Sequence, residues 1–358
     1  VEEADVAICE GRVAGLGRYQ GRERIDLRGR YLAPGFIQGH VHLESSHLHP
    51  AQYARAVVPR GTATIVTDLH EVANVAGLPG MRYILNQSRR LPLELRVMVP
   101  SCVPATPAEQ SGARLGVREV ARALRWQGVV GLGEVMDFPG VLSGGEALEK
   151  VALARGKVID GHAPGLSGPA LNGYIAAGIG SDHETVSAAE GREKLRRGMY
   201  IMIREGSSEK NLEALLPLVN DTTFHRCLFV ADDRSPHDLL HEGEMDAIIR
   251  KAISLGLPPI RALQMATINP ATYFRLYELG AVAPGRRADL MVLSDLTSVK
   301  VEMVFSRGRL VAREGQALFP TPRPGPTPFA CTVNMKPLSL ESLRLPASRA
   351  HLPAIEVV

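Results

Sequence analysis

Tryptophan occurs once in the 358 residues, aromatic residues make up only 5%, and cysteine occurs four times. Cys9, Cys102, Cys227 and Cys331 are far apart and form no CxxC pair, which excludes a disulfide framework and a structural zinc knuckle and fits a reducing cytoplasm. Charge of either sign is also scarce in excess: 41 Lys and Arg face 38 Asp and Glu, a formal net charge of +3. With no basic stripe interleaved with aromatics, the sequence carries no electrostatic footprint for nucleic acid. An apolar run of membrane-spanning length is missing, as is a leader of charged then apolar residues, so no membrane partner is expected. The chain opens on Val1, already inside strand-like sequence, and a fragment or processed protein is therefore expected.

What is present is the composition of a globular protein, 45% hydrophobic and 22% charged, with 35 glycines and 25 prolines along its length. Eight segments read as strands: "YLAPGFIQGHVH", "TATIVTDLHE", "LELRVMVPSC", "GVVGLGEVM", "KVIDGHAPG", "AGIGSDHE", "MYIMIREGS" and "CLFVADDR". Amphipathic stretches such as "PAQYARAVVPRG" and "AAEGREKLRRG" lie between them. Near-continuous apolar strands are those covered on both faces, as in parallel sheets. The fold class expected is α/β, a (β/α)8 TIM-type barrel over residues 34–280 with its site at the carboxyl ends of the strands.

Both chain ends read as short strands with glycine turns, "DVAICEGRVAGLG" and "RIDLRGR" at the start, "GAVAPGRRADLMVL" and "VEMVFSRGRLV" after the barrel. A small composite β-sandwich domain from residues 1–33 and 281–318 is expected. Residues 319–358 read as a proline-rich connector, "FPTPRPGPTPF", followed by the opening of a truncated C-terminal region.

The stretch "FIQGHVHLESSHLHP" holds four histidines. His40 and His42 are two apart on a strand, so their side chains share a face and can share a metal ion. His47 and His49 follow the strand and read as ordinary loop residues. His162 in "IDGHAPG", His183 in "GSDHE" and Asp232 in "ADD" end three further strands. Alone, each histidine is as readily a hydrogen-bonded core residue; together on one rim they read as a metal constellation. Two dications held about 3.5–4 Å apart repel and require an anionic bridge. The fourth strand ends in no lysine that could be carboxylated; it carries Glu134, which can bridge directly.

These residues also carry a resemblance. "PGFIQGHVHLESS", "PSCVPATP", "GLGEVMDFPGV", "IDGHAPGLSG", "SDHE", "IREGSSEKNL", "DDR" and "MATINPATYF" together resemble the adenine deaminase family of the amidohydrolase superfamily, from about Asp5 to Leu340. The resemblance implies a two-metal site that hydrolyses adenine to hypoxanthine and ammonia by a binuclear-metal hydroxide. It implies His40, His42, Glu134, His162, His183 and Asp232 as ligands of two divalent ions, manganese, iron or zinc. Gln38 departs from the usual Asp of the superfamily, "TDLHE" from the family's "ADPHE", and "ADD" from its "TDD".

In the chemistry so implied, Asp232 takes the proton of the attacking water and relays it to the departing amine, beside Glu134. Glu184, His70, Glu71, Arg204 and Glu205 are the candidates to serve a ring nitrogen. His70, Glu71, Ser101, Arg204 and Glu205 are candidates to hold the purine base. Rival readings are a cyclic-amide hydrolase of the same superfamily, disfavoured by Glu134 in place of a lysine, and a non-catalytic metal-binding relative. The cytidine-type zinc deaminase is excluded because its PCxxC signature is absent. A homo-oligomer is compatible with the sequence.

Overall fold

The computed structural model describes residues 1–106, 108–327, 329 and 335–344. Near the start, β1 (Val6–Cys9) and β2 (Arg12–Leu16) form an antiparallel hairpin, and β3 (Tyr31–Pro34) follows. Eight parallel strands come next: β4 (Phe36–Val41), β5 (Thr62–Asp68), β6 (Glu94–Pro100), β7 (Val129–Val135), β8 (Val158–Gly161), β9 (Ser181–Asp182), β10 (Tyr200–Arg204) and β11 (Cys227–Val230). They hydrogen-bond in chain order, as one sheet of β4 to β8 and another of β9 to β11. The result is a curled parallel sheet of a mixed α/β fold.

Alternation explains why these strands read as continuously apolar. Phe36, Ile65, Val97, Ile201 and Phe229 pack into the large cluster shared with the helices. Their neighbours Ile37, Val66, Met98, Met202 and Leu228 face the other way, into a second cluster with Tyr273, Phe274, Leu276 and Leu279. Period-two alternation with both faces apolar leaves no polar position to betray which side is solvent. Most helices are short, as at Pro50–Val57 and Ala188–Arg196, while His70–Ser88 is longer and kinked at Gly77.

Between the two sheets, Gly180 N–H donates to Ile159 O at 3.0 Å. At the other edge, His42 N–H donates to Asp232 O at 3.1 Å and Asp232 N–H to His40 O at 3.0 Å. Gln38 bridges the same edge, its Oε1 accepting from His40 N at 3.3 Å and Ala231 N at 3.1 Å.

Beyond the parallel strands, β12 (Leu290–Leu293), β13 (Val301–Ser306), β14 (Arg309–Arg313) and β15 (Gln316–Ala317) form an antiparallel sheet in the order β15-β14-β13-β12-β3. Strands from both ends of the chain thus share one sheet. The β1–β2 hairpin is tied to it through Val13 N–H to Arg286 O and Gly285 N–H to Val13 O, both 2.8 Å. Val13, Leu290, Val292 and Phe305 close a small core there.

"RIDLRGR" is not a strand. Asp26 Oδ1 accepts Arg28 N–H at 2.9 Å, and Arg28 and Gly29 have φ of 51° and 79°, so a local side-chain turn takes the backbone out of reach of a sheet. In the proline-rich connector, Gly325 O accepts from Tyr83 Oη at 3.0 Å. Cys331 and residues 345–358 lie outside the described residues, and with them most of the expected C-terminal opening.

Candidate metal centre

The ionisable residues at the strand ends converge on one cavity of about 280 Å³. His40 and His42, at the end of β4, turn both Nε2 atoms to the same point, 3.2 Å apart. Asp232 Oδ1 lies 3.4 Å from His40 Nε2 and 3.1 Å from His42 Nε2. Glu134 Oε1, from β7, lies 3.3 Å and 2.8 Å from the same two nitrogens. Ligands about 2.1 Å from a shared ion sit roughly 3.0–3.4 Å from one another in tetrahedral or octahedral order. His40, His42 and Asp232 have that spacing among themselves, as Glu134 has to His40, with His42 slightly closer to Glu134, so the residues fit a bound cation.

The second oxygen of Glu134 faces elsewhere. Oε2 lies 3.0 Å from His162 Nδ1 and 3.7 Å from His183 Nε2, after β8 and β9. His183 stacks on His40 with ring centroids 4.1 Å apart. Glu134 therefore stands between two histidine pairs and offers each a different oxygen.

Electrostatics agree with a site built for cations. Burial would lower the His40 pKa, yet hydrogen bonds to Asp232 and Glu134 and their charges lift it to about 10. Burial works against Glu134 and Asp232 as carboxylates, but the adjacent histidines hold both well below the ordinary range. His183 goes the other way, lowered to about 3 by burial and by the charge of His40, so it is neutral and ready to ligate.

The backbone aims these groups. Asp232 adopts φ 60°, the left-handed region that a non-glycine residue occupies at a cost of roughly 1–3 kcal/mol. Its N–H and C=O bonds to His40 and His42 hold it there. At β7, a Cβ on Gly133 would lie 2.0 Å from Asp68 Oδ2, so glycine lets the buried Asp68 carboxylate lie across that strand. Burial, then the charge of Glu134, pushes Asp68 up to about 7, and neither of its oxygens has a hydrogen-bond partner among the described residues.

Around these donor atoms, His70, Glu71, Glu184 and Arg204 line the cavity, as do Asp233 and, unexpected from the sequence, Met136 and Glu209. Arg204 donates to Asp232 Oδ2 at 2.8 Å and pairs with Glu184. Ser101 and Glu205 do not line it. Ser101 Oγ donates to Glu134 O at 2.5 Å, and the Glu205 carboxylate is taken by Lys251 and the N–H of Leu212. His47 is exposed, and His49 precedes the Pro50–Val57 helix beside Tyr83, so neither reaches the site.

A model of the amidohydrolase family matches residues 31–311. The chain belongs to the amidohydrolase family. Within it, the chain is 54% identical over 360 residues to an adenine deaminase of Dehalococcoides mccartyi, covering 100% of this chain and 63% of the relative. It is 51% identical over 355 residues to adenine deaminase 2 of Carboxydothermus hydrogenoformans, covering 99% of this chain and 62% of that protein. This amidohydrolase chain thus spans under two thirds of the length of these curated relatives. Among solved structures, an adenine deaminase superposes with a TM-score of 0.66 at 16% identity, over 87% of this chain and 96% of that one. A β-aspartyl dipeptidase of Fervidobacterium islandicum superposes with a TM-score of 0.67 at 18% identity, over 88% and 94%. At such identities the likeness shows the fold alone.

Proposed function

We propose that this amidohydrolase is the metal-binding part of an adenine deaminase, hydrolysing adenine to hypoxanthine and ammonia. One observation carries the reading: a glutamate, not a lysine, stands between the two histidine pairs, in a chain more than half identical to proteins named adenine deaminase. His40, His42 and Asp232 would hold one divalent ion, His162 and His183 the other, with Glu134 between them. Manganese, iron and zinc all suit this mixed imidazole and carboxylate set. When bound, the ions supply a water of pKa about 7 and positive charge for the developing anion.

The chain's own residues do the rest. Asp232 Oδ1 faces the place of the nucleophile and takes its proton; the amino group needs that proton before it can leave. Glu184 stands beside His183 and is held by Arg204, in position to serve a ring nitrogen as charge builds there. His70 and Glu71, with His70 Nε2 3.2 Å from Glu71 Oε1, face the base from the opposite wall.

The same reading takes the eight parallel strands as a closed (β/α)8 barrel spanning 34–280, supported by the parallel bridge of Val41 with Asp232. It takes 1–33 with 281–318 as a composite β-sandwich, supported by the sheet that both ends share. Among the described residues no helix is long and apolar enough to cross a membrane. The substrate is a free purine base, and the three described cysteines, all free, suit a reducing cytoplasm.

The test is ammonia release from adenine by protein reconstituted with manganese, beside ring opening of a cyclic imide, with metal analysis on the same sample. Deamination with two metal equivalents is expected. Ring opening without ammonia would favour the cyclic-amide hydrolase, and metal content without either reaction a binding relative.

A further inference from the structure

We infer that Lys194 is the positioning residue for the His162–His183 cation site, holding both histidine loops from the helix that follows the His183 loop. The inference rests on the binuclear reading above. Lys194 lies in the Ala188–Arg196 helix and is fully buried. Its Nζ lies 2.8 Å from Ala163 O, 2.9 Å from Asp182 Oδ2, 3.2 Å from Thr185 Oγ1 and 2.6 Å from Glu190 Oε1. Ala163 follows His162 directly, and Asp182 precedes His183 directly.

The clamp is reciprocal. Asp182 Oδ1 accepts Ala163 N–H at 2.8 Å while Lys194 takes Ala163 O, so the peptide groups after His162 are gripped from both sides. Thr185 Oγ1 donates to Asp182 Oδ2, and Glu190 Oε1 accepts Gly165 N–H at 2.9 Å, extending the grip past both histidines. A long flexible ammonium is an expensive group to bury, and it is tolerated when every donor meets an acceptor.

This backbone clamp stands where another device is missing. A histidine that binds metal ordinarily passes its other ring N–H to a carboxylate, carbonyl or water, which fixes the ring. His42 has that support, with Nδ1 3.1 Å from Asp68 O. His183 does not: its Nδ1 is buried with no partner among the described residues. With Nδ1 unpartnered, the His183 ring is placed by its stacking on His40, by Glu184 beside Nε2 and by its main chain, and the main chain is held through Asp182 and Lys194. The site of His40, His42 and Asp232 makes no use of this clamp.

The consequence is selective. Lys194→Met alone strands the Asp182 carboxylate in the interior, so the informative protein is Lys194→Met with Asp182→Asn, which removes both charges and every Lys194 contact together. In the full-length protein, chelator-competition titration with manganese is expected to keep one tight equivalent and weaken the other by about 10–100-fold. Excess manganese is expected to restore kcat while KM for adenine stays as in the parent, a rescue that a general loss of folding would not give. Two equivalents as tight as in the parent, or loss of both, would overturn the inference. A parent protein that itself binds fewer than two equivalents would instead overturn the binuclear reading, whatever Lys194 does.

Discussion

Arg204 Nη1 lies 2.8 Å from Asp232 Oδ2, which leaves Oδ1 of that carboxylate to face His40 and His42. The same guanidinium pairs with Glu184, and its Nε donates to Asn211 Oδ1 at 3.2 Å. One buried cation thus orients both proposed proton carriers. Arg204→Gln is expected to lower kcat by about 10–100-fold with metal content unchanged, the scale of loss for a slightly misplaced reactive group. Arg204→Lys keeps the charge without the fork and should fall between. A steady-state assay with metal analysis checks this, and an unchanged kcat in Arg204→Gln would remove the orienting role.

Glu134 offers Oε1 to one histidine pair and Oε2 to the other, so under the proposed function its charge would screen one cation from the other. Glu134→Gln keeps the shape and removes the charge. Its metal stoichiometry is expected to drop from two to one or fewer, with turnover down by at least about 10³-fold because the acidified water goes with the pair. Two tightly held ions in this variant would show that the bridge lies elsewhere.

With Asp232 Oδ2 held by Arg204, the proposed proton transfer falls to Oδ1. Asp232→Asn leaves an oxygen able to ligate but takes away the basic site. Most of the metal should remain while turnover is lost, by about 10²–10⁴-fold for a missing general base. Near-normal ammonia release would assign the proton transfer to another residue.

The strand ends were legible in the sequence because the chemistry there is written locally. The HxH of His40 and His42, Glu134 where a lysine is absent, and His162 and His183 after their strands could all be read from residue type and position. Lys194 could not: its link to Ala163 spans 31 residues and depends on the path of a helix between strands. Asp68, inside the quoted "TDLHE", went unnoticed as a candidate because nothing local shows that Gly133 makes room for its carboxylate. Ser101 and Glu205 are hard to place for a related reason. Both lie at a strand end, but Ser101 turns to the main chain of Glu134 and Glu205 to Lys251, which no sequence spacing reports. "RIDLRGR" has strand composition, yet the turn at Asp26 decides its path.

Gln38 is the departure from the superfamily's usual Asp whose role is visible. Its Oε1 takes the main-chain N–H of both His40 and Ala231 across the edge between β4 and β11, while its Nε2 is buried without a partner. Gln38→Met keeps the volume and leaves two buried donors without an acceptor. A loss of about 2 kcal/mol in stability is expected, from an unsatisfied-donor cost of about 1–3 kcal/mol. Urea unfolding measures it, and an unchanged midpoint would mean that water or a shifted backbone serves these groups instead.

Glu244 gives the protein a stability that depends on pH at a place outside the histidine-lined cavity. It is buried beside Tyr53, which donates to Oε1, and Thr62, whose hydroxyl donates to Oε2 at 2.9 Å. Burial pushes its pKa up from 4.5 to about 7 against the pull of those hydrogen bonds. The folded protein therefore binds a proton that the unfolded chain releases between pH 4.5 and 7. With more protons bound in the folded state, stability falls as pH rises through that window. The contribution is fully present below pH 4.5 and lost above 7, a change of about 3 kcal/mol. Glu244→Gln, which stays neutral and keeps an oxygen for Tyr53, should flatten this part of the profile and raise the melting temperature above pH 7 relative to the parent. Equal slopes for parent and variant between pH 5 and 7 would mean that the carboxylate is ionised in the folded protein across that range.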